Sequence, residues 1–312
     1  MMRGELLCWD GRRIRLPDAV EWRFQYGLRH ALRQLSDHLP VGAGQRERPG
    51  RGGELYGGGE RGTALHRRGG RVRAGLGHRG GTLTVAGRGM AARLLDNEAL
   101  GADYQVATVE DILRDHVAPY GIEIVRGRSC RRCRASRWTR GAASGRWSMN
   151  SAAITGNCPR FDRLGRLVLA PWEEGRRLVL GADAAVTSFR LRERRYGVLS
   201  EVLVRDRTTE EVQRVADEDF LRRGGRCRRV LTMPGKSSYQ AMRYSGAYQL
   251  ARAREELRQA ELELPEAFAA WPGELVELNL AKGTGRGLWR VRESVCGLKA
   301  AGTYTRLTLG EP

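Results

Sequence analysis

The stretch Trp271-Pro272-Gly273-Glu274-Leu275-Val276-Glu277-Leu278-Asn279-Leu280 decides how this chain is read. Its Pro-Gly pair is a turn signal, and an apolar-rich run follows at once. Downstream come Leu288 to Val291 and Thr303 to Leu309, set apart by turns at Gly283 to Gly287 and Ala300 to Gly302. Leu262 to Leu264 precedes the stretch. Short strands at this spacing predict a small barrel or sandwich. Just upstream, Tyr239, Met242, Gly246, Leu250, Ala253 and Leu257 recur at three- and four-residue intervals, which is one face of a helix. The expectation is one β-rich unit over about 196–312 with the Ser237 to Leu257 helix packed on it. Its core would draw on Leu275, Val276, Leu278, Leu280, Leu288, Val291, Leu307 and Leu309, with Tyr239, Met242 and Leu250 from the helix.

Working outward, Val198 to Arg205 alternates apolar and polar, and Val212 to Val215 is its expected hairpin partner. Asp162 to Gly165 is a turn before a strand at Arg166 to Ala170, and Leu178 to Leu180 is another short strand. In the first hundred residues, Asp10-Gly11 between Leu6 to Trp9 and Arg12 to Leu16 is a strong hairpin signal. Thr82 to Ala86 alternates as a strand, and Met90 to Leu95 is a short apolar segment. Thr108 is the expected N-cap of a helix whose stripe is Val109, Ile112, Leu113 and Val117, stopped by Pro119 and Gly121. The fold class is therefore α+β and β-rich: small β-barrel or sandwich tube-type domains with a few packed helices. Three regions are expected: an N-terminal β domain over 1–100, an α/β middle region over 101–195, and a C-terminal barrel-like domain over 196–312.

Two blocks break this pattern. Gly27 to Gly81 carries eleven Arg and Lys against four Asp and Glu, and Gly127 to Cys158 carries seven against none. They hold most of the formal net charge of +19, in stretches with almost no apolar periodicity. Back-translating Gly62 to Gly81 and reading one base later permits E-R-L-F-T-G-V-V-D-E-C-E-Q-A-W-D-T-E-G, which runs into Thr82-Leu83-Thr84-Val85. In the second block a two-base shift permits E-Y-E-F-C-R-Y-H-R-K-L, which runs into Pro159-Arg160-Phe161-Asp162. The blocks are therefore read as out of frame, and 27–81 and 127–158 are expected to be disordered. The plainer alternative is an Arg/Gly-rich linker.

The motifs with chemical content have plainer structural readings. Cys130-Arg131-Arg132-Cys133 is half of a zinc knuckle, but a structural site needs four ligands and only Cys158 lies nearby. Gly235-Lys236-Ser237 has Val230 where a phosphate-binding loop needs its first glycine, so a turn and helix cap are expected instead. Lys282 to Gly287 is a Gly-rich hairpin loop. Asp217-Glu218-Asp219 is an acidic loop tip or helix start rather than a cation site. His116 is placed on the polar side of its helix, with no nucleophile positioned for it. No catalytic, cofactor-binding or metal site is assigned, and no cofactor is expected. The six cysteines are not read as a disulfide framework, since three fall in the second basic block. No secretory signal is read at the start of the chain. No apolar run approaches the roughly 18 residues that span a bilayer.

Three segments resemble the baseplate hub proteins of phage tails, the late control gene D-type group. One is Gly87-Arg88-Gly89-Met90-Ala91-Ala92-Arg93-Leu94-Leu95-Asp96 with Thr108 to Leu113 and Pro119-Tyr120-Gly121-Ile122. The second is Pro159 to Leu167. The third and longest is Tyr196 to Leu309, through Met233-Pro234-Gly235, Leu264-Pro265 and Trp271 to Leu278. The resemblance covers about two-thirds of the chain and fails in the basic blocks. It implies a homotrimeric ring of β-rich tube domains, joining a tail tube protein to a central spike protein, in the virion tail baseplate after assembly in the host cytoplasm. It carries no catalytic residues, so no enzyme is expected. Two alternatives stand beside it. One is a hub-associated cell-wall hydrolase, which needs a placed carboxylate pair or nucleophile–base set. The other is a basic nucleic-acid-binding protein, whose support rests on the two blocks. Neither specific nucleic-acid binding nor membrane insertion is expected.

Overall fold

The computed structural model describes residues 3–8, 10–27, 36–41, 53–58, 65–77, 80–98, 103–107, 109–126, 133–137, 160–169, 176–194, 196–233, 239–280 and 286–312. The fold is α+β and β-rich, as expected. Its frame is a 13-stranded sheet. The path runs Ser188–Glu193, Arg258–Leu264, Gly302–Gly310, Gly287–Lys299, Glu21–Gly27, Ser36–Val41, Gly80–Arg88, Leu65–Gly77, Gly53–Gly58, Arg3–Cys8, Arg13–Arg15. Leu275–Leu278 and Arg177–Leu180 branch from it and pair in parallel with each other, whereas the pairings along the path are antiparallel.

The Gly287–Lys299 strand is the hinge of this arrangement. Its first residues pair with Leu275–Leu278, and Glu293 to Leu298 pair with Glu21–Gly27. The register against Gly302–Gly310 shifts between Val291 and Glu293, where one neighbour gives way to the other. A bulge bends a strand and raises its twist, which lets one strand serve two neighbours in turn. One sheet thus runs through strands from both the first and the last of the expected regions.

Two cores lie on it. Leu262, Leu264, Val276, Leu278, Trp289, Val291, Leu307 and Leu309 are buried together. Fully burying such a side chain contributes about 1.5–3 kcal/mol. Leu6, Leu16, Trp22, Phe24, Val85 and Cys296 form the second core, against Phe268 and Trp271. The Phe268 ring stacks on Trp22 at 5.2 Å and on Trp271 at 5.5 Å. Phe268 takes φ +58°, unusual for a residue with a bulky side chain. These ring contacts tie the Glu21–Gly27 strand to the loop before Leu275.

Two smaller modules stand beside the sheet. In one, Glu201–Asp206 pairs with Val212–Ala216, confirming that hairpin, and in parallel with Arg228–Met233. The Tyr239–Arg254 helix packs here, with Met242 buried among Leu199, Val202 and Val204. This corrects the expected packing. The helical stripe is real, but it faces the small sheet and not the Leu275–Leu309 core. Tyr239 is 57% exposed and Leu288 37%, so neither supplies core. Gly246 makes the close approach possible, since a Cβ there would lie 2.6 Å from Val215 Cγ2.

The other module joins the Val109–His116 helix to Ile124–Arg126, Leu167–Leu169 and Arg160–Phe161. Leu94, Leu113, Val117, Ile122, Leu167 and Leu169 form its core. Gly121 closes the turn after Pro119 at φ +63°. Thr108 lies outside the described residues.

Inside the first basic block, Ser36–Val41, Gly53–Gly58 and Leu65–Gly77 are paired strands. The expectation that 27–81 holds no packed structure differs from the structure at these three stretches. Antiparallel pairing is made by backbone N–H and C=O groups, which every residue but proline supplies. It can therefore extend from Gly80–Arg88 and Arg3–Cys8 into a sequence without side-chain pattern. In the second block, Cys133–Arg137 pairs with Asp103–Ala107. Apart from Gly27, Gly80 and Gly81, which end or begin flanking strands, the rest of both blocks lies outside the described residues.

Candidate functional site

The motifs set aside in the sequence meet ordinary structural roles where they are described. Asp217 caps the Glu218–Arg222 helix, accepting from the Phe220 N–H at 2.9 Å. Glu218 pairs with Arg214, and Asp219 with Arg222. His116 is buried rather than on a polar face, a correction to the sequence reading. Burial holds its pKa below the ordinary imidazole value, against the pull of Asp115. The Lys282 loop connects two strands paired as a hairpin, although 281–285 lie outside the described residues. Cys130, Cys158 and the Gly235-Lys236-Ser237 segment also lie outside them. Among the described residues, no three His, Cys, Asp or Glu side chains are grouped to hold a metal ion.

Among the described residues, strand edges and a cleft offer surfaces able to meet another molecule. Among the described residues, Arg177–Leu180 pairs on one side only and exposes Val179. Val212–Ala216 and Arg228–Met233 flank the small sheet and expose Val212 and Val230. An open edge presents backbone donors and acceptors to a further strand. Charges guard several edges. Arg190, Arg192 and Glu193 lie on the Ser188–Glu193 strand. Glu201 accepts from Arg214 and Arg228, which hold its carboxyl below the ordinary glutamate range.

The cleft, of about 370 Å³, opens between the turn at Asp162 to Gly165 and the turn at Trp271 to Glu274. Tyr26 lines it, placed by its strand pairing opposite Ser294. Its hydroxyl donates to the Arg163 carbonyl at 3.1 Å, bridging sheet and middle module. Its ring meets Trp271 edge-on at 5.3 Å. The Trp271 N–H donates to Glu274 at 3.0 Å. Burial nevertheless pushes the Glu274 carboxyl above the ordinary range, outweighing that bond and the attraction of Arg176 and Arg163. The sequence identified Trp271-Pro272-Gly273 only as a turn. No local signal could have paired it with Asp162 to Gly165, more than a hundred residues earlier.

Comparison with solved structures gives matches of fold that span nearly all of this chain. The tail protein from Neisseria meningitidis MC58 is 15% identical, with a TM-score of 0.79 over 99% of this chain and 96% of that one. The 43 kDa tail protein of prophage MuSo2 from Shewanella oneidensis is 13% identical, with a TM-score of 0.77 over 99% and 98%. An E. coli protein, c3393, a component of the type VI secretion system, is 14% identical, with a TM-score of 0.57 over 95% and 73%. No family model and no curated relative matches the sequence. At these identities the likeness is one of fold: the chain has the architecture of phage tail proteins.

Proposed function

We propose that the chain is a structural component of a phage or phage-like tail baseplate hub, working as a homotrimeric ring between a tail tube protein and a central spike protein. The observation that carries this reading is the full-length agreement of fold with two tail proteins, covering 99% of the chain in each. Such agreement includes the small modules as well as the large sheet. Open strand edges with exposed Val179, Val212 and Val230 supply surfaces for ring closure, which needs the same patches on every copy. The role requires no catalytic group, and the reading is non-enzymatic, in the virion tail.

Light scattering on the purified full chain tests it. The expected mass is three times 34.8 kDa for the chain alone, or that mass plus the bound partner's once a spike protein is added. A strictly monomeric protein that digests peptidoglycan would replace the hub with the hydrolase. We also infer that the Arg/Gly-rich blocks are out-of-frame readings, which resequencing of the coding DNA decides directly.

A further inference from the structure

We propose that the cleft between the Asp162–Gly165 turn and the Trp271–Glu274 turn is a docking site for a partner protein's carboxylate carried beside an apolar side chain. This concerns one face of the single chain and stands whether or not the ring forms. The cleft lies where two modules with separate cores meet, and such junctions are preferred places for binding sites. Its charged groups are unequally committed. Asp162 accepts from the Leu164 and Arg166 N–H groups at 3.0 and 2.9 Å and pairs with the Arg166 guanidinium. Arg166 also reaches Glu123 at 3.7 Å. Glu274 is half-buried and takes the Trp271 N–H. Arg163 is exposed, and its guanidinium makes no hydrogen bond or ion pair with another described residue.

Among these groups Arg163 has the longer-range attraction of Glu274 but no close carboxylate partner among the described residues, and its planar, five-donor guanidinium is suited to a carboxylate. Beside Arg163 lie Tyr26, Phe161 and Trp271, with the first and last ring perpendicular. Rings in this arrangement offer apolar area that a bare inorganic anion cannot use. A volume of about 370 Å³ accommodates one or two residues of a partner segment.

The test uses the full chain and two small probes, 3-phenylpropanoate and its neutral amide. Binding is read from the indole N–H resonance of Trp271, assigned with Trp271→Phe. The acid is expected to bind about ten-fold more tightly than the amide, the effect of one charge-assisted hydrogen bond. Arg163→Gln should abolish that preference and leave amide binding in place. Glu274→Gln should keep the preference. Equal binding of acid and amide, an unmoved Trp271 resonance, or an undiminished preference in Arg163→Gln would each overturn the proposal. So would inorganic phosphate displacing the acid at equal concentration.

Discussion

The Gly302–Gly310 and Leu65–Gly77 strands belong to one sheet, yet they are specified in different ways. In the first, Thr305, Leu307 and Leu309 are buried while Arg306 is exposed and Thr308 half-buried. That alternation fixes the register, because a slip of one residue would turn every leucine to water. The second strand reads Leu-His-Arg-Arg-Gly-Gly-Arg-Val-Arg-Ala-Gly-Leu-Gly, with four glycines and four arginines in 13 residues. Each interior glycine costs roughly 0.5–1 kcal/mol relative to alanine. Its ladder to Gly80–Arg88 shifts register between Gly69 and Arg71. Pairing there rests on backbone groups and on the neighbours. The difference shows that membership of a sheet and specification by side chains are separate properties.

The largest effect should come from the well-specified side. Leu278 is 1% exposed, so Leu278→Asp places a charge in the core. The loss should exceed the roughly 2–5 kcal/mol of a Leu→Ala cavity, and near-ultraviolet circular dichroism should show no folded barrel. Retention of a cooperative unfolding transition would mean that this core does not carry the fold.

Gly246→Ala should be next. Helix propensity alone favours alanine by about 1 kcal/mol. Here the new Cβ would meet Val215 at 2.6 Å and Val204 at 3.2 Å. Overpacking of this kind costs typically 1–3 kcal/mol, so packing should win and the midpoint in urea should fall. A rise would show that the helix rides further from the small sheet.

Two glutamates should give opposite pH signatures. Glu201 is held below the ordinary value of 4.5 by Arg214 and Arg228. Its contribution is therefore present above about 4.5 and lost as pH falls through the lower, folded value. Glu274 is raised from 4.5 by burial, so its folded form loses relative stability as pH rises through that region. Glu201→Gln should flatten the acid side of the stability profile, and Glu274→Gln should be neutral or stabilising at pH 7. Identical profiles for both variants would contradict the assignment. The smallest effect belongs to Arg254→Asp. Arg254 is 57% exposed and reaches Asp217 only at 3.6 Å, so the change should stay within about 1 kcal/mol.

Local signals were legible wherever the chemistry is local. Asp10-Gly11 makes its hairpin, with Gly11 at φ +82° and Asp10 accepting the Arg12 N–H. Asp162 to Gly165 turns as read, with Gly165 at φ +79°. The helical stripe from Met242 to Ala253 was visible, but a stripe says that a face is buried and not what covers it. For the same reason the parallel pairing of Arg177–Leu180 with Leu275–Leu278 was hidden. So was the stacking of Phe268 between Trp22 and Trp271, which joins residues some 250 positions apart. His116 was misplaced because position on a helix does not reveal which of its faces other segments cover. The cleft escaped for a related reason, since its walls come from three distant segments.

Native-state hydrogen exchange tests most directly whether the two strands differ in how they are specified. After correction for intrinsic rates, amides of Gly302–Gly310 should be protected about a hundred-fold more than those of Leu65–Gly77, which should open without global unfolding. Equal protection along both strands would contradict the account. It would mean that the Arg/Gly-rich block is as firmly built into the sheet as the leucine-patterned strands.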